Sequence, residues 1–218
     1  MLSMSLKIHR LQDPVYTSNV YLLEAERPVL VDTGGALKDA VLQLVRGVLG
    51  DKPLAAIVFT HGHPDHIGDA EELSAALRAP LYIHPAEGER VPAAKPIPER
   101  IDCGGARFEV IPTPGHSPGG VCLYEPSQKI LISGDTVFPG GRVGRWDLPG
   151  SDYDALVRSL RKLNALEVQA LYPGHYDPLT SRVAAHLQAS LETLLYVGRD
   201  FDDEKYDNRI ERLRGSLG

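Results

Sequence analysis

Residues 60–66 read THGHPDH and follow directly on the apolar run AAIVF at 55–59. Five apolar residues suit a short strand buried on both faces. The next stretch, DAEELSAALRA (69–79), has helical spacing and ends before Pro80. The cluster therefore stands at the end of a sheet, where a strand gives way to a loop and then a helix. It holds three of the chain's eight histidines. Consecutive positions at such a junction point in different directions, so two neighbouring ions can be served, one by His61 and His63, the other by Asp65 and His66. Imidazole and carboxylate together suit zinc, iron or manganese.

Working outward, the segments before the cluster are LKIHRL, NVYLLEA and PVLVDT, with strand patterning, and ALKDAVLQLVRGVLG, with apolar residues at helical spacing. After it come the strand PLYIHP and then RIDCG, ARFEVIPT, GGVCLYEP and KILISGD, separated by Gly-Gly, Pro-Gly or Pro-Ser turns. That is the grammar of an antiparallel meander. A helix DYDALVRSLRKLNAL with Asp152 at its N-cap, a strand VQALYP and a helix from Thr180 to about Gly198 complete the pattern. Strand-rich halves that each end in helices predict an α/β chain of the αββα class, two sheets face to face with helices outside. A length of 218 residues suffices for one well-buried core. The expected organisation is a single domain over 1–218, with a short charged helical tail at about 199–218.

Composition narrows the function classes. Hydrophobic residues make up 43% and charged residues 24%, as in globular proteins. The net charge of -6 comes with scattered basic residues, so no surface for phosphate backbones is expected and nucleic acid is not the expected partner. No apolar stretch is long enough to span a bilayer, and the N-terminus lacks an apolar signal core. A small-molecule substrate, no membrane association and a cytoplasmic location are the expectations. Nothing in the composition selects between a monomer and a homo-oligomer. The two cysteines, Cys103 and Cys122, are too few for a disulfide framework or a four-cysteine zinc site and are expected as small buried core residues.

Further ligands should come from similar strand ends. FEVIPTPGHSPGG places His116 after a strand, KILISGDTVF places Asp135 likewise, and VQALYPGHYDP places His175 after another. A glycine precedes each, letting the backbone approach an ion closely.

With those residues in place the sequence resembles the metallo-β-lactamase superfamily, whose H-x-H-x-D-H signature stands here as HGHPDH, over roughly residues 15–180. The resemblance implies His61, His63 and His116 on one metal, Asp65, His66 and His175 on a second, and Asp135 bridging both. It also implies that Asp32, in VDTGG, braces the metal loop from behind. Two divalent ions follow as cofactors, zinc first, with iron and manganese also suited. Such a pair implies hydrolysis by a metal-bridging hydroxide, with Asp65 orienting it and taking up a proton as the catalytic carboxylate.

Within the superfamily, GDTVFPGGRVGRWDLPGSD is similar to the glyoxalase II branch of thioester hydrolases, where Arg145 matches a basic contact to the thiol half of the substrate. Asp147 stands where that branch has a tyrosine, and some 43 residues follow His175, fewer than its helical C-terminal domain requires. Glyoxalase II-like is therefore the expected description. A mononuclear-iron persulfide dioxygenase on the same scaffold is the main alternative. A lactonase, disfavoured by Phe138 where a tyrosine is usual, is the next. A nuclease would need a basic groove and an inserted domain, and flavodiiron reductases carry a glutamate where His63 stands. A purely structural metal site predicts closed coordination with no exchangeable position.

Overall fold

A computed structural model of the chain describes residues 5–11 and 17–217. The chain divides between Val110 and Ile111 into two compact units.

In the first unit, six short strands form one sheet in sequence order. They are β1 (Lys7–Leu11), β2 (Val20–Glu24), β3 (Val29–Val31), β4 (Ala56–Val58), β5 (Leu81–Ile83) and β6 (Lys95–Pro96). The first two pairings are antiparallel and the rest parallel. Each parallel step needs a crossover. Helix α1 (Lys38–Leu49) makes the first, burying Val41 and Val45 and ending where Gly50, at φ +58°, donates its N–H to the Arg46 carbonyl. The second runs through α2 (Pro64–Ile67) and α3 (Ala70–Leu77). Val20, Leu22, Leu30, Ile57, Phe59 and Leu73 form the core of this unit. It closes with β7 (Arg100–Asp102), paired antiparallel with the start of β8 (Arg107–Pro112).

In the second unit, β10 (Ile130–Gly134) lies between β9 (Val121–Glu125), to which it is antiparallel, and β13 (Ala170–Pro173), to which it is parallel. The β10–β13 crossover contains a small hairpin, β11 (Val137–Phe138) and β12 (Arg142–Val143), and helix α4 (Tyr153–Asn164). Asp152 caps α4 as expected, its Oδ1 accepting from the Ala155 N–H at 2.8 Å. Helices α5 (Val183–Val197) and α6 (Asp203–Leu217) follow. Leu131, Trp146, Leu156, Leu160, Leu171 and Leu194 belong to a second apolar core.

Both cysteines are free and buried, as expected. Burial raises the Cys122 thiol to about 11 against the hydrogen bonds from Thr113 and Thr136. The short strands β6, β11 and β12 were not legible in the sequence, because two-residue strands in Pro- and Gly-rich segments carry no period. The charged tail forms α6, which is not wholly exposed: Ile210 is buried, and the Tyr206 hydroxyl accepts from the Val143 N–H at 3.0 Å. Gly218 lies outside the described residues. Among the described residues, no helix is long and apolar enough to cross a membrane.

Candidate metal site

One cluster, in the first unit, is made where β3 and β4 end side by side. They pair in parallel register, Val31 beside Val58, and the next residues carry polar groups instead of apolar ones. Asp32 sits at φ +58°, a left-handed conformation uncommon for a residue with a side chain but better tolerated by aspartate. Its carboxylate is fully used in a buried setting. Oδ1 accepts from the Thr60 N–H at 2.8 Å, and Oδ2 accepts from the Thr60 hydroxyl and from His66 Nδ1, each at 2.8 Å. A carboxylate cannot donate, so His66 carries its proton on Nδ1 and presents the Nε2 lone pair.

His63 closes the strand-to-helix turn, with Pro64 at the first helical position of α2. Its carbonyl accepts from the His66 N–H at 2.9 Å, which folds residues 63–66 back on themselves. The ring atoms then converge: His61 Nε2 lies 3.1 Å from His63 Nδ1, the His61 and His66 ring centroids are 4.1 Å apart, and His66 Nε2 is 3.7 Å from Asp65 Oδ2. His61 and His66 are buried, while His63 and Asp65 are part-exposed. The four residues of the cluster come together, and the Asp32 carboxylate is hydrogen-bonded to His66 behind them.

A second cluster, in the second unit, is built the same way. Strands β10 and β13 run parallel, and their register slips by one residue between Ile132 and Gly134. The Gly174 N–H then donates to the Gly134 carbonyl at 2.8 Å. Asp135 and His175 consequently leave adjacent strand ends together, and Asp135 Oδ2 lies 3.2 Å from His175 Nε2 and 3.6 Å from His116 Nε2. Beneath them Thr113, Cys122 and Thr136 form a buried polar contact set, with the two threonine hydroxyls 3.0 Å apart.

His116 occupies a turn seated on α4. Gly115 has φ +139°, and a Cβ there would lie 2.4 Å from backbone atoms of Leu156, so only glycine permits this approach. The Gly115 carbonyl accepts from the Asp152 N–H at 2.7 Å. His116 Nδ1 lies 2.8 Å from the Arg145 carbonyl, which can only accept, so the proton is on Nδ1 and Nε2 again carries the lone pair. Gly144 makes room for that contact: a Cβ there would stand 2.0 Å from the Asp135 carbonyl. His116, Asp135 and His175 are thus brought together within the second unit.

Arg145 points elsewhere with its side chain. Its guanidinium is bidentate to Asp147, at 2.9 and 2.5 Å, lies 3.7 Å from Asp203 and stacks over Phe201 at 4.5 Å. Asp147 is held below the usual carboxylate range, chiefly by the hydrogen bond from Arg145. Trp146 is a buried plug among Tyr153, Phe201 and Tyr206, with its indole N–H shared between the Gly198 and Arg199 carbonyls. Two contributors escaped sequence reasoning. Thr60 has no signal beyond its place beside His61, and the Arg145 carbonyl has none, because backbone groups are identical at every position.

The chain belongs to the metallo-β-lactamase superfamily, whose model matches residues 13–175, and it has the mixed α/β fold of that family. It is similar to a probable metallo-hydrolase, YqgX, of Bacillus subtilis, 32% identical over 77% of this chain and 88% of that protein. The hydroxyacylglutathione hydrolase of Bdellovibrio bacteriovorus is 33% identical over 72% of this chain, which spans 63% of that protein. Among solved structures, TTHA1623 in a di-iron-bound form is 32% identical with a TM-score of 0.65, over 84% of this chain and 96% of that one. The metal-dependent hydrolase class expected from HGHPDH is that of the family.

Proposed function

We propose that the protein is a binuclear metal-dependent hydrolase of a thioester, in which the two half-sites act as one within a single functional domain. In this reading His61, His63 and His116 hold one ion, Asp65, His66 and His175 a second, and Asp135 both. The observation that carries it is the fixed tautomer of His66 and His116. Each has Nδ1–H locked onto an acceptor, the Asp32 carboxylate in one and the Arg145 carbonyl in the other, which is how metal-binding imidazoles are oriented. The donor set of imidazoles and carboxylates therefore fits divalent zinc or iron. Zinc is the expected ion, and iron is the one recorded for TTHA1623.

Bound ions would supply Lewis acidity at the carbonyl oxygen and bring a water's pKa towards neutrality. The chain's own groups do the rest. In this reading Asp65, part-exposed at the helix start, orients the attacking water and accepts its proton. The acyl carbon gains an oxygen, the carbon–sulfur bond breaks, and the thiol leaves with a proton. Thioester specificity is supported by the GDT-aromatic loop and by the name of the Bdellovibrio relative. A small-molecule substrate, and no nucleic-acid or membrane partner, complete the reading, with a cytoplasmic location.

The test is metal analysis of protein purified without added metal, beside thioester hydrolysis and oxygen uptake with glutathione persulfide. Two equivalents of metal with thioester turnover are expected, whereas one iron with oxygen consumption would replace the proposal by the dioxygenase. Asp135→Ala should lower occupancy of both metals and His175→Ala mainly that of one. Near-full activity of Asp135→Ala would contradict a shared bridge.

A further inference from the structure

Beside His175 stands a group that the metal chemistry does not use. Tyr176 follows it directly, is 52% exposed and has φ +68°. A bulky residue in the left-handed region costs on the order of 1 kcal/mol or more and persists only where its surroundings impose it. Those surroundings are visible. The Phe138 ring meets Tyr176 edge to face at 5.4 Å and His175 at 6.0 Å, so one aromatic side chain positions both. Phe138 is paired across the β11–β12 hairpin with Arg142, and the Arg142 guanidinium lies over the Tyr176 ring, 5.1 Å from its centroid.

The charges of the two loop arginines differ in their use. Arg145 is neutralised by Asp147 and faces Asp203 as well. Arg142 is part-buried, and among the described residues its guanidinium has no carboxylate within ion-pair distance and donates from Nη1 to the Pro139 carbonyl at 3.2 Å. A guanidinium has five N–H donors in a planar fork, and stacking on an aromatic ring leaves the edge of that fork open to a carboxylate.

We infer that Arg142 and Tyr176 are the specificity-determining residues of this site and select a substrate whose thiol half ends in a carboxylate. Arg142 binds the anion, Tyr176 holds the guanidinium in place and lines the approach to His175, and Arg145 shapes the loop through its carbonyl and its Asp147 pair. The inference deepens the hydrolase reading and rests on it. It moves the substrate cation from Arg145 to Arg142.

The experiment compares two acetyl thioesters of equal length, one of 3-mercaptopropionate and one of 3-mercaptopropionamide, on the metal-loaded protein. A charge-assisted contact of this kind corresponds to a preference of roughly ten- to a hundredfold in kcat/KM for the carboxylate. Arg142→Ala should erase that preference by raising KM for the anionic ester alone, Arg142→Lys should restore part of it, and Arg145→Ala should leave the ratio unchanged. Tyr176→Gly should weaken the preference while the unfolding midpoint holds or rises, because glycine accepts the left-handed backbone without strain. Calorimetric binding of the matching S-ethyl thioethers, acid against amide, reads the same preference without turnover. Equal kcat/KM for the two esters, or an equal loss on both in Arg142→Ala, overturns the inference and leaves the hydrolase reading standing. If neither ester is turned over, the hydrolase reading fails and calorimetry decides: an acid preference lost in Arg142→Ala upholds the recognition role, and equal or absent binding overturns it.

Discussion

Asp32 is the residue on which the histidine cluster of the first unit turns. It serves three donors at once from a left-handed backbone, and through Thr60 it fixes the start of the histidine loop while through His66 it sets a tautomer. Asp32→Ala should therefore act on two levels. The Thr60 N–H and hydroxyl lose their acceptor in a buried place, at a cost of about 1–3 kcal/mol. His66 also loses the orientation of its ring, and loss of such a partner typically lowers metal affinity about 10- to 100-fold. Titration with zinc against a chromophoric competitor, run at a temperature where circular dichroism shows the variant folded, separates the two. Wild-type affinity in a folded variant would deny Asp32 its bracing role. The residue type was readable in VDTGG, but the reason for it lies in three donors from residues 28 to 34 positions further along.

At the scale of elements, the β11–β12 hairpin is held from behind by α5. The Gly140 N–H donates to His186 Nδ1 at 2.8 Å, which requires a neutral ring with its lone pair on Nδ1. Burial, with the Arg182 charge adding to it, lowers the pKa of His186 below its ordinary 6.5, against a backbone hydrogen bond with Leu217 that raises it. The folded state takes up a proton less readily than the unfolded chain, so this contribution is complete above about pH 6.5 and is lost as pH falls below it towards the folded value. His186→Leu should be less stable than wild type at pH 7.5 by about 1–3 kcal/mol, because the Gly140 N–H is orphaned. Urea midpoints at pH 7.5 and 5.5 should converge between the two proteins, since the variant has no histidine here to protonate. Parallel loss in both would show that His186 does not set the slope. The helix itself was legible from its periodicity, whereas the hairpin it supports was not, because PGGR reads only as a turn.

At the scale of the whole molecule, two compact units each carry a sheet, a core and part of the histidine and aspartate set. In the second unit, α6 completes an aromatic cluster in which Trp146 meets Phe201 at 4.7 Å and Tyr206 at 6.2 Å. Burial raises the Tyr206 phenol to about 12, against its hydrogen bonding to the Val143 backbone, which lowers it. Ending the chain after Asp200 should therefore uncover Trp146, shift its fluorescence to the red and lower the melting temperature. Tyr206→Phe, which keeps the ring, should leave the fluorescence in place and lose roughly 1–3 kcal/mol. An unshifted spectrum in the truncated chain would mean that α6 merely lies on the surface. By itself the sequence determined the order of the longer strands and helices, the strand-end setting of His61, His63, Asp65, His66, His116, Asp135 and His175, and the metal chemistry those types imply, because periodicity and ligand type are local properties. Only the tertiary structure decided which nitrogen of His66 and His116 faces outward, that Arg145 is spent on Asp147, and that Arg142 lies over Tyr176. Each of these depends on partners distant in sequence, and no local pattern encodes such a pairing.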